Sequence, residues 1–134
     1  MKEISLVLIK PDAVIDKKEK EIISFLEAKD MTILHIESFL CDIEMLKKLY
    51  PHVIMEESIS TMLTNFRKGK AIIVVFEGTN ALSVGLKSKK IFREKYYYGY
   101  YGCTIHASDN KKEFERELNV LLPDFLIKIR GSNI

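Results

Sequence analysis

A histidine, a serine and a glutamate near the C-terminal end of the chain have types and spacing that suit nucleophilic chemistry at the imidazole ring. His106 and Ser108 lie in the segment T-I-H-A-S-D at 104–109, and Glu117 follows about a helix length later. Imidazole is a good nucleophile at neutral pH when one ring nitrogen is unprotonated and the other is held by an acceptor. The Glu117 carboxylate could hold that tautomer, and the Ser108 hydroxyl could hold the carboxylate.

A lysine near the start of the chain is a candidate anion-binding group. Lys10 follows the apolar run 4–9 and precedes Pro11 and Asp12. Since proline favours an extended residue before it and cannot continue a central strand, we expect a strand that ends at this lysine, followed by a loop. Each signal taken singly also fits a structural residue: a solvated turn, a histidine satisfied at a strand end, or a solvated helix glutamate. The hypothesis therefore depends on these segments meeting in the fold.

Hydrophobic periodicity predicts the elements that must position these groups. Strands are expected at 4–9, 32–40, 71–76 and 103–106. Helices are expected at 17–29, at 43–50, around 59–66 with Gly69 as C-cap, and from the N-cap residues Ser108 and Asp109 to Pro123. Residues 79–102 are predicted to be irregular. This order predicts an α+β fold, a ferredoxin-like (βαββαβ) antiparallel sheet covered by helices, with extra short helices.

Composition limits the classes of protein that remain. A chain of 134 residues, 47% hydrophobic and 30% charged, is expected to form one domain over 1–134 without a disulfide or metal staple. A net charge of +2 argues against coating nucleic acid or anionic lipid as the main function. The two cysteines form no CxxC pair, and no apolar stretch approaches the roughly 20 residues of a membrane helix. We expect a soluble, cytoplasmic protein with no membrane partner.

Four segments together resemble the nucleoside diphosphate kinases. They are K-P-D-A-V at 10–14, Tyr50, the segment from Gly69 to F-E-G-T-N at 76–80, and I-H-A-S-D at 105–109. The last is similar to the active-site signature N-x-x-H-G-S-D, and the resemblance runs from about Glu3 to Leu126. It implies a ping-pong reaction in which a histidine takes the γ-phosphate of a nucleoside triphosphate and passes it to a diphosphate, assisted by Mg²⁺ bound with the nucleotide.

The resemblance also implies a role for each matching residue. His106 would be the phosphorylated nucleophile, Glu117 would hold its other ring nitrogen, and Ser108 would support the carboxylate. Lys10 and Arg93 would neutralise charge on the transferring phosphoryl group, since positioning and electrostatics supply most of the catalysis in such reactions. Tyr50 would wall the site near Lys10.

The sequence departs from the family around the nucleotide. Leu86 stands where the family has a second phosphate-binding arginine, Cys103 replaces an asparagine near the sugar, and Ser58 replaces a ring that stacks on the base. The loop between Leu86 and Arg93 is shorter than the family's and lacks its phosphate-contacting threonine. Replacement groups could come from Lys87, Lys89, Lys90 or Tyr100. Because the missing loop also contributes to subunit contacts, we expect a homo-oligomer, a dimer or larger, in place of the usual hexamer.

Two other interpretations compete with an active kinase. A catalytically weakened or inactive module with an assembly or regulatory role would explain the lost arginine, threonine and stacking ring. RNA-recognition modules share the βαββαβ order, but their three aromatic platform positions would fall on Lys70, Ile72 and Val75. Nucleic acid is therefore not expected as a partner. The sequence also contains no glycine-rich phosphate loop and no zinc-ligand spacing, so no metal site is expected in the protein itself.

Overall fold

The four apolar segments of the chain form one antiparallel sheet. The computed structural model describes residues 2–53, 55–97, 104–125 and 127. The strands are β1 (Lys2–Ile9), β2 (Thr32–Phe39), β3 (Ala71–Thr79) and β4 (Ile105–Ala107). They lie in the order β2-β3-β1-β4, and each neighbouring pair is antiparallel. This order, with helices between β1 and β2 and between β3 and β4, is the predicted ferredoxin-like α+β fold, and that prediction is confirmed.

Helices cover both faces of the sheet. They are α1 (Pro11–Ile15), α2 (Glu19–Ala28), α3 (Ile43–Leu49), α4 (Glu56–Phe66), α5 (Ala81–Lys95) and α6 (Lys111–Leu121). Because side chains alternate along a strand, Leu6 and Leu8 of β1 pack with α3, α4 and α6, whereas Val7 and Ile9 pack with α1, α2 and α5. Within the described ranges, no helix combines the length and the apolar character needed to cross a membrane.

The prediction of an irregular segment at 79–102 is wrong, because α5 occupies much of it. The buried residues of α5 have helical spacing: Ala81, Gly85, Ser88 and Phe92. Three of these four are small, so the buried stripe carries little hydrophobic signal in the sequence. A Cβ atom built on Gly85 would lie 3.4 Å from Cζ of Phe76. This is already van der Waals contact, so α5 lies close to the sheet and leaves room for only small side chains at Gly85.

Two predictions about helix ends near the strands are also wrong. A loop was expected directly after Lys10, but α1 begins at Pro11. Proline suits this first helical position, because its missing N–H would have no intrahelical partner there. Gly69 was expected to cap α4, but the C-cap is Arg67, whose backbone stays right-handed at φ −77° and ψ −10°. No left-handed glycine is needed to end this helix.

The N-cap of α6 is Asn110, and neither Ser108 nor Asp109 takes that position. The Asn110 side chain accepts a hydrogen bond from the backbone N–H of Glu113 at 2.9 Å. Ser108 lies two residues before the cap, and its hydroxyl donates to the Glu117 carboxylate. The serine is therefore drawn into the site described next.

Candidate active site

His106 lies in the middle of β4, where it pairs with Leu8 of β1. Its neighbours Ile105 and Ala107 pack with α5, so alternation turns the imidazole to the opposite face, towards α6. The residue is only 9% exposed, and its Nε2 atom lies 2.6 Å from Oε2 of Glu117. The short strand thus fixes the ring against a buried carboxylate.

Glu117 is held from two directions. Its Oε2 atom contacts His106, and its Oε1 atom accepts a hydrogen bond from Oγ of Ser108 at 2.5 Å. The carboxylate is 2% exposed because Phe114 and Leu118 of the same helix pack α6 against the sheet. An ionised carboxylate can only accept hydrogen bonds, so this arrangement assigns the proton to Nε2 and leaves the Nδ1 lone pair for chemistry.

Tyr50 and Lys10 complete the group that the structure brings together. Tyr50 follows α3 directly, and its ring centroid lies 5.4 Å from that of His106 with the planes at 71°. The Nζ atom of Lys10 lies 5.8 Å from the Tyr50 ring centroid and 5.8 Å from that of Phe66. Lys10 is only 6% exposed, so its charge acts in a site partly shielded from water. Helical periodicity predicts a buried Phe66 in α4, but it does not reveal which core residues line a site.

The other predicted nucleotide contacts that the structure describes, Arg93, Leu86 and Ser58, lie on α5 and α4. Arg93 lies in the last turn of α5, on the other face of the sheet, and its Nε donates to the Ile105 carbonyl at 2.9 Å. Leu86 packs with the core on that same face. Ser58 is half-buried in the first turn of α4. Cys103 and Tyr100 lie outside the described residues.

Arg116 belongs to the site's surroundings, and sequence reasoning missed it. Its guanidinium donates to the carbonyls of Lys48 and Leu49 at the end of α3 and to the Glu113 carboxylate. The hydrogen bond from Arg116 is the main reason that the pKa of Glu113 is lowered. One terminal nitrogen of Arg116 also lies 3.9 Å from Oε2 of Glu117. The sequence signal that could have identified Arg116 is its position directly before Glu117, in a chain with only four arginines.

The described residues contain no group of three or more His, Cys, Asp or Glu side chains that could hold a metal ion. Among the described residues, the charged groups around His106 are two cations, Lys10 and Arg116, the Glu117 carboxylate, and Glu113, which is paired with Arg116.

Comparison with known proteins supplies the family. The model of the nucleoside diphosphate kinase family matches residues 3–127. The nucleoside diphosphate kinase of Methanocaldococcus jannaschii is 31% identical over 92% of this chain and 96% of its own length. That of Acetivibrio thermocellus is 30% identical over 91% of this chain and 97% of its own length. The chain therefore belongs to the nucleoside diphosphate kinase family.

Solved structures agree on the fold. A crystal structure of apo nucleoside diphosphate kinase from Encephalitozoon cuniculi has a TM-score of 0.79 at 23% identity, covering 90% of this chain and 88% of that one. The enzyme from Aquifex aeolicus gives 0.75 at 18% identity, covering 91% and 96%. The predicted family, with its kinase and nucleotide-binding character, is confirmed. Enzymes of this family use nucleotide substrates and a divalent cation.

Proposed function

We propose that the protein is an active nucleoside diphosphate kinase that carries the phosphoryl group on His106. The observation that supports this most directly is the buried chain of hydrogen bonds from His106 through Glu117 to Ser108. These hydrogen bonds leave Nδ1 as the nitrogen of the His106 ring that keeps a lone pair.

In the proposed first half-reaction, the Nδ1 lone pair of His106 attacks the γ-phosphorus of a nucleoside triphosphate. The bond to the bridging oxygen breaks, and its electron pair leaves with the nucleoside diphosphate. Nε2 keeps its proton, and Glu117 stabilises the positive charge that develops on the ring. In the second half, a terminal oxygen of another diphosphate attacks the phosphorus, the P–N bond breaks, and the lone pair returns to Nδ1.

Lys10 and Tyr50 are proposed to position the phosphoryl group beside the histidine. The buried ammonium of Lys10 faces the same tyrosine ring that lies against His106. Charge aimed at the transferring group from a fixed position needs no reorganisation during the reaction. Arg93 remains a proposed phosphate contact, anchored to the strand through Ile105. Ser58, Leu86 and Cys103 remain predictions for the nucleotide side of the site.

Mg²⁺ is proposed to enter with the nucleotide. This cation prefers oxygen ligands, keeps several waters and commonly binds substrate phosphates. The described acidic residues offer no cluster that would hold it independently, so the phosphates would be its main ligands. Bound there, it would neutralise phosphate charge. Lys10 and the histidine would then act on a partly neutralised group.

The other expectations from the sequence remain predictions. The proposed partners are nucleoside di- and triphosphates, with no nucleic acid or membrane partner. We further propose a homo-oligomer, a dimer or larger, a cytoplasmic location, and a single domain over 1–134.

The decisive experiment is phosphorylation with γ-labelled ATP and Mg²⁺. We expect label that is acid-labile and alkali-stable, that disappears in His106→Ala, and that moves to added nucleoside diphosphate. His35→Ala is the matched control, because this imidazole lies on β2 and bonds Glu37 outside the site. The control should label like the wild type.

The alternative, a weakened or inactive member of the family, is favoured by one observation. Leu86 packs against apolar neighbours where the family has a phosphate-binding arginine, so this position offers no charge. Wild-type protein that takes no label at any nucleotide concentration would support this alternative. Label retained in His106→Ala would contradict the proposed nucleophile.

A further inference from the structure

We infer that Arg116 is a positioning residue that holds Tyr50 against His106 and couples α3 to the catalytic carboxylate on α6. The inference deepens the proposed function and depends on it for its activity measurement. It rests on contacts that a surface arginine would not make. Arg116 is 31% exposed at its side chain, yet it contacts two elements far apart in sequence.

The contacts of Arg116 with α3 fix the backbone that carries Tyr50. One terminal nitrogen of the guanidinium donates to the Lys48 carbonyl. Both terminal nitrogens donate to the Leu49 carbonyl, each at 3.3 Å. The last carbonyls of a helix have no intrahelical partner, and a cation there also complements the helix dipole. Tyr50 is the next residue. Its ring direction therefore depends on a helix end that Arg116 secures.

The contacts of Arg116 with its own helix fix the guanidinium relative to Glu117. Nε donates to Oε2 of Glu113 at 3.1 Å, and Asn110 caps the backbone of that glutamate. This leaves a terminal nitrogen 3.9 Å from the same Glu117 oxygen that contacts His106. One planar group thus faces the catalytic carboxylate and the backbone beside the tyrosine.

The geometry requires arginine, because only its guanidinium presents five donors in a rigid fork. A lysine at 116 would keep the charge, but its single ammonium could not span two carbonyls and a carboxylate in the same way. An exposed pair at i, i+3 with Glu113 would contribute little by itself. The bonds to α3 distinguish the positioning role from such a pair.

The first test reads the position of Tyr50 without nucleotide. The carbon-bound ring protons of His106 are followed by NMR in the wild type, Arg116→Ala, Arg116→Lys and Tyr50→Leu. Removing the ring in Tyr50→Leu removes its ring-current shift. We expect Arg116→Ala to move the His106 signals in the same direction, Arg116→Lys to move them part of the way, and Arg67→Ala to leave them unchanged. Arg67 is the matched control, an exposed arginine at the end of α4.

The second test measures phosphohistidine formation at varied ATP concentration. We expect Arg116→Ala to lower the maximal rate about tenfold with a smaller change in half-saturating concentration, because small misplacements of positioned groups reduce rate strongly. Arg116→Lys should recover only part of this loss. Arg116→Ala with His106 signals or a rate equal to those of the wild type would overturn the inference. A wild-type rate in Arg116→Lys would overturn the requirement for the forked guanidinium.

The two tests separate this inference from the proposed function. A wild-type protein without label would defeat the kinase proposal, while the NMR shifts would still decide whether Arg116 holds Tyr50. If Arg116→Ala does not fold, the same shifts and rates in Arg116→Lys decide the question, because that variant keeps the charge and the alkyl stem.

Discussion

At the residue scale, the Glu117 carboxylate is buried and held through both of its oxygens. Each of its oxygens has a different buried partner, so neither rotation nor sliding of the side chain preserves both contacts. A buried charge is tolerated only when such partners are present. Ser108 therefore affects both the stability of the fold and the direction of the imidazole.

Replacing Ser108 with alanine should cost about 1–3 kcal/mol of unfolding free energy, because a buried carboxylate oxygen loses its donor. The rate of phosphohistidine formation should also fall. Both effects are measured directly, the first by urea denaturation and the second by labelling. The matched control is Ser88→Ala, a serine equally inaccessible to water, whose hydroxyl donates to the Gly85 carbonyl at 2.7 Å. Equal slowing of labelling in both variants would contradict a specific role for Ser108.

At the element scale, the C-terminal end of α5 is fastened to α2. The Tyr96 hydroxyl donates to Oε2 of Glu21 at 2.5 Å, and the Lys95 ammonium bonds the other oxygen of that carboxylate. The Tyr96 carbonyl in turn accepts from Oγ1 of Thr104, just before β4. These bonds hold α2, α5 and the approach to β4 together at one corner of the sheet.

The pH dependence of this corner follows from Glu21. Its hydrogen bond from Lys95, and then the one from Tyr96, lower the pKa of the Glu21 carboxyl below 4.5, and Glu21 raises the pKa of Lys95 above 10.5. The pair therefore stabilises the fold between these values. Its contribution is lost as pH falls through the lowered pKa of Glu21 or rises through the raised pKa of Lys95.

We expect Glu21→Gln to unfold at a lower temperature than the wild type at pH 7, with the difference shrinking as the solution is acidified below pH 4.5. Thermal melts across a pH series provide the measurement. Glu27→Gln, an exposed glutamate of the same helix, is the control and should follow the wild type. A constant difference at all pH values would mean that the Glu21 charge is not the cause.

Some elements could be predicted from the sequence and others could not, for physical reasons. Residues 72–75 of β3 form an uninterrupted β-branched run, which predicts a strand, and the stripe through Phe114 and Leu118 predicts that Glu117 lies on a packed helix. The helix α5 escaped prediction because its buried stripe uses small residues such as Gly85. The proposed role of Arg116 could not be predicted from the sequence, because its acceptors are backbone carbonyls of another helix, which no local pattern encodes.

At the scale of the whole molecule, two hydrophobic cores share one sheet. Leu8 and Ile9 are adjacent in β1 and fully buried, yet they belong to different cores on opposite faces. Neither core can lose its packing without exposing a strand that the other core needs. The two faces should therefore unfold together.

Leu8→Ala and Ile9→Ala should each lower the unfolding free energy by about 2–5 kcal/mol, since each leaves a cavity in a packed core. Each variant should still unfold in a single transition when secondary structure and tyrosine fluorescence are followed in parallel. Coincident curves would support the single domain over 1–134. Two separated transitions in either variant would argue against it.

Strand β1 pairs with β3 and β4, which both follow it far along the sequence, and this affects the order of folding during synthesis on the ribosome. Lys10 and Tyr50 emerge early, but the strands that flank β1 are translated only afterwards. Contacts between residues distant in sequence form slowly, because a long loop must close first. His106 gains its carboxylate only when α6 has left the exit tunnel. We therefore expect the group of His106, Glu117 and Ser108 to assemble only after α6 has been synthesised.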